Sequence, residues 1–237
     1  MYNETAKYYD IIYRFKDFES EAAQIKEIIK KHFGNITPSL LDVGCGTGSH
    51  LQYLKAISNA EGLDYSEEMI DVARQKNPDI TFHCQDMADF NLAKSYHVIT
   101  CLFGSIGYVQ TLSRLTKTLN TFATHLTPQG LLLLEPWFQP DEWKPNTVHG
   151  IFIDEPHLKI ARVNTSFVSG SISHFDLHYL IGTPQGTDHI CETHELGLFT
   201  HETIMRLLSE AGCSVEFDKH GLSGRGLFKC VKTKEIF

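Results

Sequence analysis

The stretch Leu40-Leu41-Asp42-Val43-Gly44-Cys45-Gly46-Thr47-Gly48-Ser49-His50-Leu51 constrains this chain more than any other. Its short apolar run reads as a buried strand, and the alternate glycines that follow demand a turn with an open backbone before a helix. Side chains there would keep a ligand from touching main-chain atoms. Asp64, twenty positions beyond Gly44, ends a second apolar run at Ala60 to Asp64, where its carboxylate suits the two hydroxyls of a ribose.

The rest of the pattern places this elbow in a fold. Phe18, Ala22, Ile25, Ile29 and Phe33 recur at helical spacing before the first strand. Ser66 is placed to cap a helix after the second strand, with Glu67 and Glu68 at the positive end of its dipole. Further buried strands read at Ile80 to Cys84, Val98 to Phe103 and Gly130 to Glu135, the last after a helix carrying Leu112, Leu115, Leu119, Phe122 and Leu126 and a Thr127-Pro128-Gln129-Gly130 break. Alternating stretches at Ile160 to Ser169, Ser171 to Ile181 and His189 to Phe199 read as antiparallel strands. A helix capped by Thr200 and ended by Gly212 and two strands, Ser214 to Phe217 and Leu227 to Lys232, close the chain. The expectation is an α/β fold, a Rossmann-like doubly wound and mostly parallel seven-stranded sheet with an antiparallel β insertion (137–199) before the last helix and hairpin. Residues 1–237 read as a single domain, since no repeat or linker divides them.

Composition removes several function classes. The 21 Lys and Arg against 29 Asp and Glu give a net charge of −8, which repels phosphate backbones and anionic lipid heads, so neither nucleic acid nor membrane is expected as a partner. Apolar runs are too short to cross a bilayer and the start resembles no leader, so the expected location is cytoplasmic. The 6 cysteines show no C-x-x-C spacing and read as reduced thiols, mostly in the core. His174 and His178 share a strand face without a third ligand nearby in sequence, so a plain strand face is preferred to zinc and no metal is expected.

The spacing G-x-G-x-G differs from the G-x-G-x-x-G that offers a helix N-terminus to a pyrophosphate, and Asp42 precedes it. An acid there disfavours a phosphate and suits a cation. S-adenosylmethionine has that chemistry: a sulfonium, a ribose and an adenine, with no phosphate. Asp86 follows the third strand in Gln85-Asp86-Met87, where its carboxylate can accept the adenine amino hydrogen while Met87 packs the ring; a loop aspartate capping a turn is the alternative.

These motifs, with Tyr8-Tyr9-Asp10, GLDYS at 62–66, SIGY at 105–108, EPWF at 135–138, RVNTS at 162–166 and SGRGLF at 223–228, resemble the class I S-adenosylmethionine-dependent methyltransferases. More closely they resemble the N,N-dimethyltransferases of nucleotide-linked amino sugars such as desosamine and mycaminose. Expected cofactor contacts are Tyr9, Asp42, Gly44, Cys45, Gly46 and Gly48 around the elbow, with Asp64, Tyr65, Met69, Asp86, Met87 and Leu102 beyond it. The resemblance implies Tyr2, Tyr108 and Arg225 beside the reacting amine and sugar, and Arg162 and Trp137 on a nucleotide-sugar. Glu135 either receives a proton or is satisfied by backbone donors, and Trp137 and Trp143 either stack on a base or pack the insertion. The implied reaction moves a methyl to the amine and leaves S-adenosylhomocysteine. An O- or C-methyltransferase and a non-catalytic binder of the cofactor are the rivals, and a homodimer is possible.

Overall fold

The computed structural model describes residues 4–233. The five parallel strands of the main sheet are β1 (Ser39–Val43), β2 (Asn59–Asp64), β3 (Thr81–Cys84), β4 (Tyr96–Cys101) and β5 (Leu126–Leu134). A second, four-stranded antiparallel sheet follows: β6 (Val148–Glu155), β7 (Leu158–Ser169), β8 (Ile172–Thr183) and β9 (Gly186–Gly197). The chain then returns to the main sheet with β10 (Cys213–Asp218) and β11 (Leu227–Lys232), giving the order β10-β11-β5-β4-β1-β2-β3. β11 runs antiparallel to both its neighbours.

The helices are α1 (Tyr9–Ile12), α2 (Phe18–Phe33), α3 (Leu51–Leu54), α4 (Glu67–Lys76), α5 (Leu112–His125) and α6 (His201–Glu210). The longer ones begin at side-chain caps: Asp17 accepts from Ser20 N at 2.9 Å, Ser66 from Met69 N at 3.2 Å, Thr111 from Arg114 N at 3.3 Å and Thr200 from Thr203 N at 3.2 Å. Each such cap contributes about 1 kcal/mol. One apolar layer lies between the sheet and α5 and α6, around Phe122 and Phe228, and another packs Ile25 and Ile29 of α2 against the opposite face. A third, with Tyr179 and Ile160, joins the second sheet to Ile12 of α1.

The expected fold class is what forms, with three local corrections. Val148–Glu155 is an additional strand; Val148 and Phe152 face solvent, the latter 72% exposed, so no apolar alternation announced it. The break at 127–130 is absorbed into β5 as a register shift against β4, with Gln129 at φ +61°. The helix after the elbow is only α3, of 4 residues. Of the cysteines, Cys101, Cys213 and Cys230 are buried and Cys45 is partly so, but Cys84 and Cys191 are exposed; all are free thiols.

Candidate active site

In an open doubly wound sheet the crevice forms outside the carboxyl ends of strands where the order reverses, here between β1 and β4. A cavity of about 990 Å³ lies there, walled on the far side by the inner face of the second sheet. Two glycines let that sheet come close. A Cβ on Gly107 would stand 2.9 Å from Leu196, and one on Gly197 2.6 Å from the Gln110 carbonyl.

The elbow is a main-chain construction. Gly44 N and Cys45 N donate to the Leu63 carbonyl at 2.7 and 3.0 Å, folding the turn over the end of β2. Gly44 has φ +71°, and a Cβ on it would lie 2.7 Å from that of Ser105. Gly46, at φ +54°, has nothing within 4 Å of its Cβ position and opens on the cavity. Its N–H donates to Asp64 Oδ2 at 2.8 Å while Ser66 N donates to Oδ1 at 3.0 Å, so two backbone donors fix the carboxylate. Burial raises the Asp64 pKa against the pull of those donors. Tyr65, Met69 and Met87 line the cavity beside it.

The start of the chain forms another wall. Thr47 Oγ1 and Ser49 Oγ donate to Asp10 Oδ1 at 2.6 and 3.1 Å, and Lys76 pairs with the same carboxylate. Asp10 thereby clasps α1 to the elbow and sets Tyr9 and Tyr13, ring centroids 4.5 Å apart, against the cavity. Asp86 also lines it, with its carboxylate gripped by Arg114 Nη2 at 3.0 and 2.8 Å and by Ala88 N at 2.9 Å. Burial opposes its charge, but the Arg114 bond and that of Ala88 prevail and lower its pKa.

The opposite end is built of side chains. Arg225 places its guanidinium 4.7 Å from the Phe103 ring centre and 5.3 Å from that of Trp137. Arg162, 8% exposed, donates from Nη1 to Tyr13 Oη at 3.1 Å, while its buried Nε has no hydrogen-bond partner among the described residues. Tyr108 Oη lies 2.7 Å from His194 Nδ1. Trp137 donates to Ser173 Oγ at 3.0 Å, and Phe138, Trp143 and Phe175 pack around it. Packing and cavity lining thus coincide in the two tryptophans.

Several motif residues stand behind the surface. Asp42 is buried and accepts from Thr100 Oγ1 at 2.7 Å; burial raises its pKa to about 6 against the pull of His50 and Thr100. Cys45, Gly48 and Leu102 are not among the lining residues. Glu135 is fully buried and accepts from Phe103 N at 2.6 Å and Ser223 Oγ at 2.7 Å, one backbone and one hydroxyl donor, which ties the Arg225 loop to the end of β4. Tyr2 lies outside the described residues. His178 aims Nδ1 at His189, 3.2 Å away, and Nε2 at Cys191, 3.8 Å away, so its nitrogens do not converge on one point. Among the described residues no three His, Cys, Asp or Glu side chains form a metal-binding group.

Comparison with known proteins decides the family. Residues 40–130 match the methyltransferase domain model. The chain is 38% identical over 229 residues to the dTDP-3-amino-3,6-dideoxy-alpha-D-glucopyranose N,N-dimethyltransferase of Streptomyces fradiae, covering 95% of this chain and 89% of that one. The chain belongs to the amino-sugar N-methyltransferases. The structure of Streptomyces venezuelae DesVI superposes with a TM-score of 0.89 at 33% identity, covering 98% of this chain and 99% of the other. A SAM-bound amino pentose methyltransferase from Micromonospora echinaspora, involved in calicheamicin biosynthesis, superposes with a TM-score of 0.85 at 31% identity, over 95% and 96% of the two chains.

S-adenosylmethionine is thus the cofactor of this methyltransferase, and the elbow fits it: an open turn at Gly46, a fixed carboxylate at Asp64 and apolar Met69 and Met87. The sequence reading passed over Tyr13, Phe103, Arg114, Asn164 and His194, all on the cavity. For His194 a signal existed, since it takes an inward position of β9 between Glu192 and Leu196, where alternation calls for apolar residues.

Proposed function

We propose that this methyltransferase methylates the amino group of a nucleotide-activated amino sugar, with the cofactor at the elbow and the sugar nucleotide against the second sheet. One observation carries the reading: in a chain of net charge −8, the acceptor end of the cavity gathers Lys144, Arg162 and Arg225 among aromatic rings, with Glu142 as the one carboxylate at that end among the described lining residues. Cations suit a diphosphate and rings suit a base, and arginine offers donors in the fork that phosphate oxygens match.

When bound, the cofactor supplies a methyl carbon already activated by its sulfonium. The protein's task is then to hold the amine in line with that carbon, which supplies up to roughly 7 to 11 kcal/mol of the barrier. Asp64 anchors the ribose, Asp86 meets the adenine edge, and Tyr108 and Arg225 border the amine and sugar. In this reading the displacement requires no metal, residues 1–237 act as one domain, and the protein works in the cytoplasm as a homodimer. The clasp of α1 on the elbow and the Trp137–Ser173 bond support the single unit by joining the two sheets' surroundings.

The test is incubation with S-adenosylmethionine and a panel of thymidine-diphosphate amino sugars, free amines and alcohols, with chelator present, followed by product masses. Mass gains confined to the amino sugars are expected. Methylation confined to hydroxyls would overturn the amine assignment.

A further inference from the structure

Behind Tyr108 runs a buried polar line that positioning alone does not employ. Tyr108 Oη lies 2.7 Å from His194 Nδ1, and His194 is 2% exposed. Its Nε2 stands 3.8 Å from Glu192 Oε2, and that carboxylate accepts from Thr5 Oγ1 at 2.6 Å. His194 and Glu192 occupy alternate inward positions of β9, and burying an imidazole and a carboxylate on a core face costs stability unless they are paired.

Transfer to an amine creates a proton that must leave. The nitrogen lone pair forms the bond to the methyl carbon as the carbon–sulfur bond breaks and its pair goes to sulfur. The nitrogen becomes an ammonium, and a second methyl cannot be accepted until it sheds a proton. We propose that Tyr108, His194 and Glu192 form a relay that removes this proton from the acceptor amine, a proposal that rests on the amine reading above. Tyr108 Oη takes the ammonium proton as its own passes to His194 Nδ1, and Glu192 holds the resulting imidazolium until the proton escapes to solvent. Tyr108 is the group that meets the amine; His194 and Glu192 act through it.

The surroundings suit those roles. Burial lowers the pKa of His194, with Glu192 pulling the other way, which favours the neutral imidazole and makes any proton it takes quick to leave. Burial raises the Tyr108 phenol well above its ordinary value, so it passes protons on without resting as a phenolate. Among the described residues, Arg162 on β7, Tyr179 on β8, Tyr13 on α1 and Asp64 across the cavity also face this pair. The positive charge of Arg162 hastens the departure of the proton and the negative charge of Glu192 delays it, which leaves His194 a transient stop.

The experiment compares wild type, His194→Gln and Tyr108→Phe on a thymidine-diphosphate amino sugar from about pH 6 to about pH 9.5, reading kcat, KM and the ratio of monomethyl to dimethyl product. In H194Q kcat should fall roughly 100-fold at neutral pH, recover above the amine's own pKa, and leave product stalled at one methyl, with KM and S-adenosylhomocysteine affinity unchanged. In the cofactor-free protein, nitrogen NMR of His194 should report the Nε2-protonated neutral tautomer, and Tyr108→Phe should shift its Nδ1 resonance. Should H194Q fail to fold, Glu192→Gln carries the same test with a smaller drop. A folded variant with the wild-type pH profile and product ratio overturns the relay alone. Wild type that methylates only hydroxyls overturns the relay and the amine reading together.

Discussion

The two ends of the cavity present their polar atoms differently. At the elbow they belong to the main chain or are held by it: Gly46 N and Ser66 N pin Asp64, and two N–H groups converge on the Leu63 carbonyl. At the acceptor end they belong to long side chains from separate strands and loops, such as Arg162 on β7, His194 on β9 and Arg225 before β11. A main-chain site suits a ligand that does not change, because side-chain substitution hardly alters it. A side-chain site can be retuned residue by residue for a different acceptor. In the proposed function, the contrast gives constancy to the elbow as the cofactor end and specificity to the second sheet.

The contrast can be broken from the elbow side. Gly44→Ala is expected to have the largest effect, because a Cβ 2.7 Å from that of Ser105 adds overpacking to a φ of +71°. Those two costs together come to roughly 3 to 5 kcal/mol, seen in denaturant unfolding and in weakened S-adenosylhomocysteine binding by calorimetry. A variant as stable and as tight as wild type would contradict the close approach.

Asp42 sharpens it next. Its pKa is raised to about 6 in the folded protein, chiefly by burial. Folding therefore gains from the neutral form below about pH 4 and loses that contribution as pH rises through about 6, a swing of up to roughly 3 kcal/mol. Asp42→Asn should lack this slope, so the difference between the two stability curves measured by unfolding should change across that range. Parallel curves would mean that the carboxyl ionises as it does in water.

Asp64→Ala should weaken S-adenosylhomocysteine binding by about 1 to 3 kcal/mol through lost ribose hydrogen bonds, with little change in KM for the acceptor. Arg162→Gln should do the reverse, raising acceptor KM about tenfold, the loss of a charge-assisted bond of roughly 1.5 kcal/mol, while cofactor affinity holds. If both variants moved both constants equally, the division between the ends would fail. The smallest effect is expected at Gly46→Ala, where nothing lies within 4 Å and only φ +54° resists, about 1 to 2 kcal/mol.

The same contrast explains what was legible beforehand. Glycine spacing, the caps at Ser66 and Thr200, and helical stripes are local signals, and they placed the main sheet and the elbow end to within a few residues. β6 was illegible because its apolar residues fall on both faces, Val148 and Phe152 outward and Ile151 and Ile153 inward, and the bulge of β5 read as a break because Pro128 and Gly130 punctuate it. Adjacency in sequence is not exposure to the cavity: Asp42 on β1, Cys45 and Gly48 in the turn and Leu102 just past β4 are not among its lining residues. The acceptor end depends on pairings far apart in the chain, Tyr108 with His194 and Arg162 with Tyr13, which no local pattern encodes.

A crystal structure with S-adenosylhomocysteine and thymidine diphosphate present together tests the central division most directly. The nucleoside should sit over Gly46 with its ribose hydroxyls on Asp64, and the diphosphate should lie beside Arg162 and Arg225 against the second sheet. A diphosphate seated in the elbow, or a nucleoside bound away from Asp64, would contradict it.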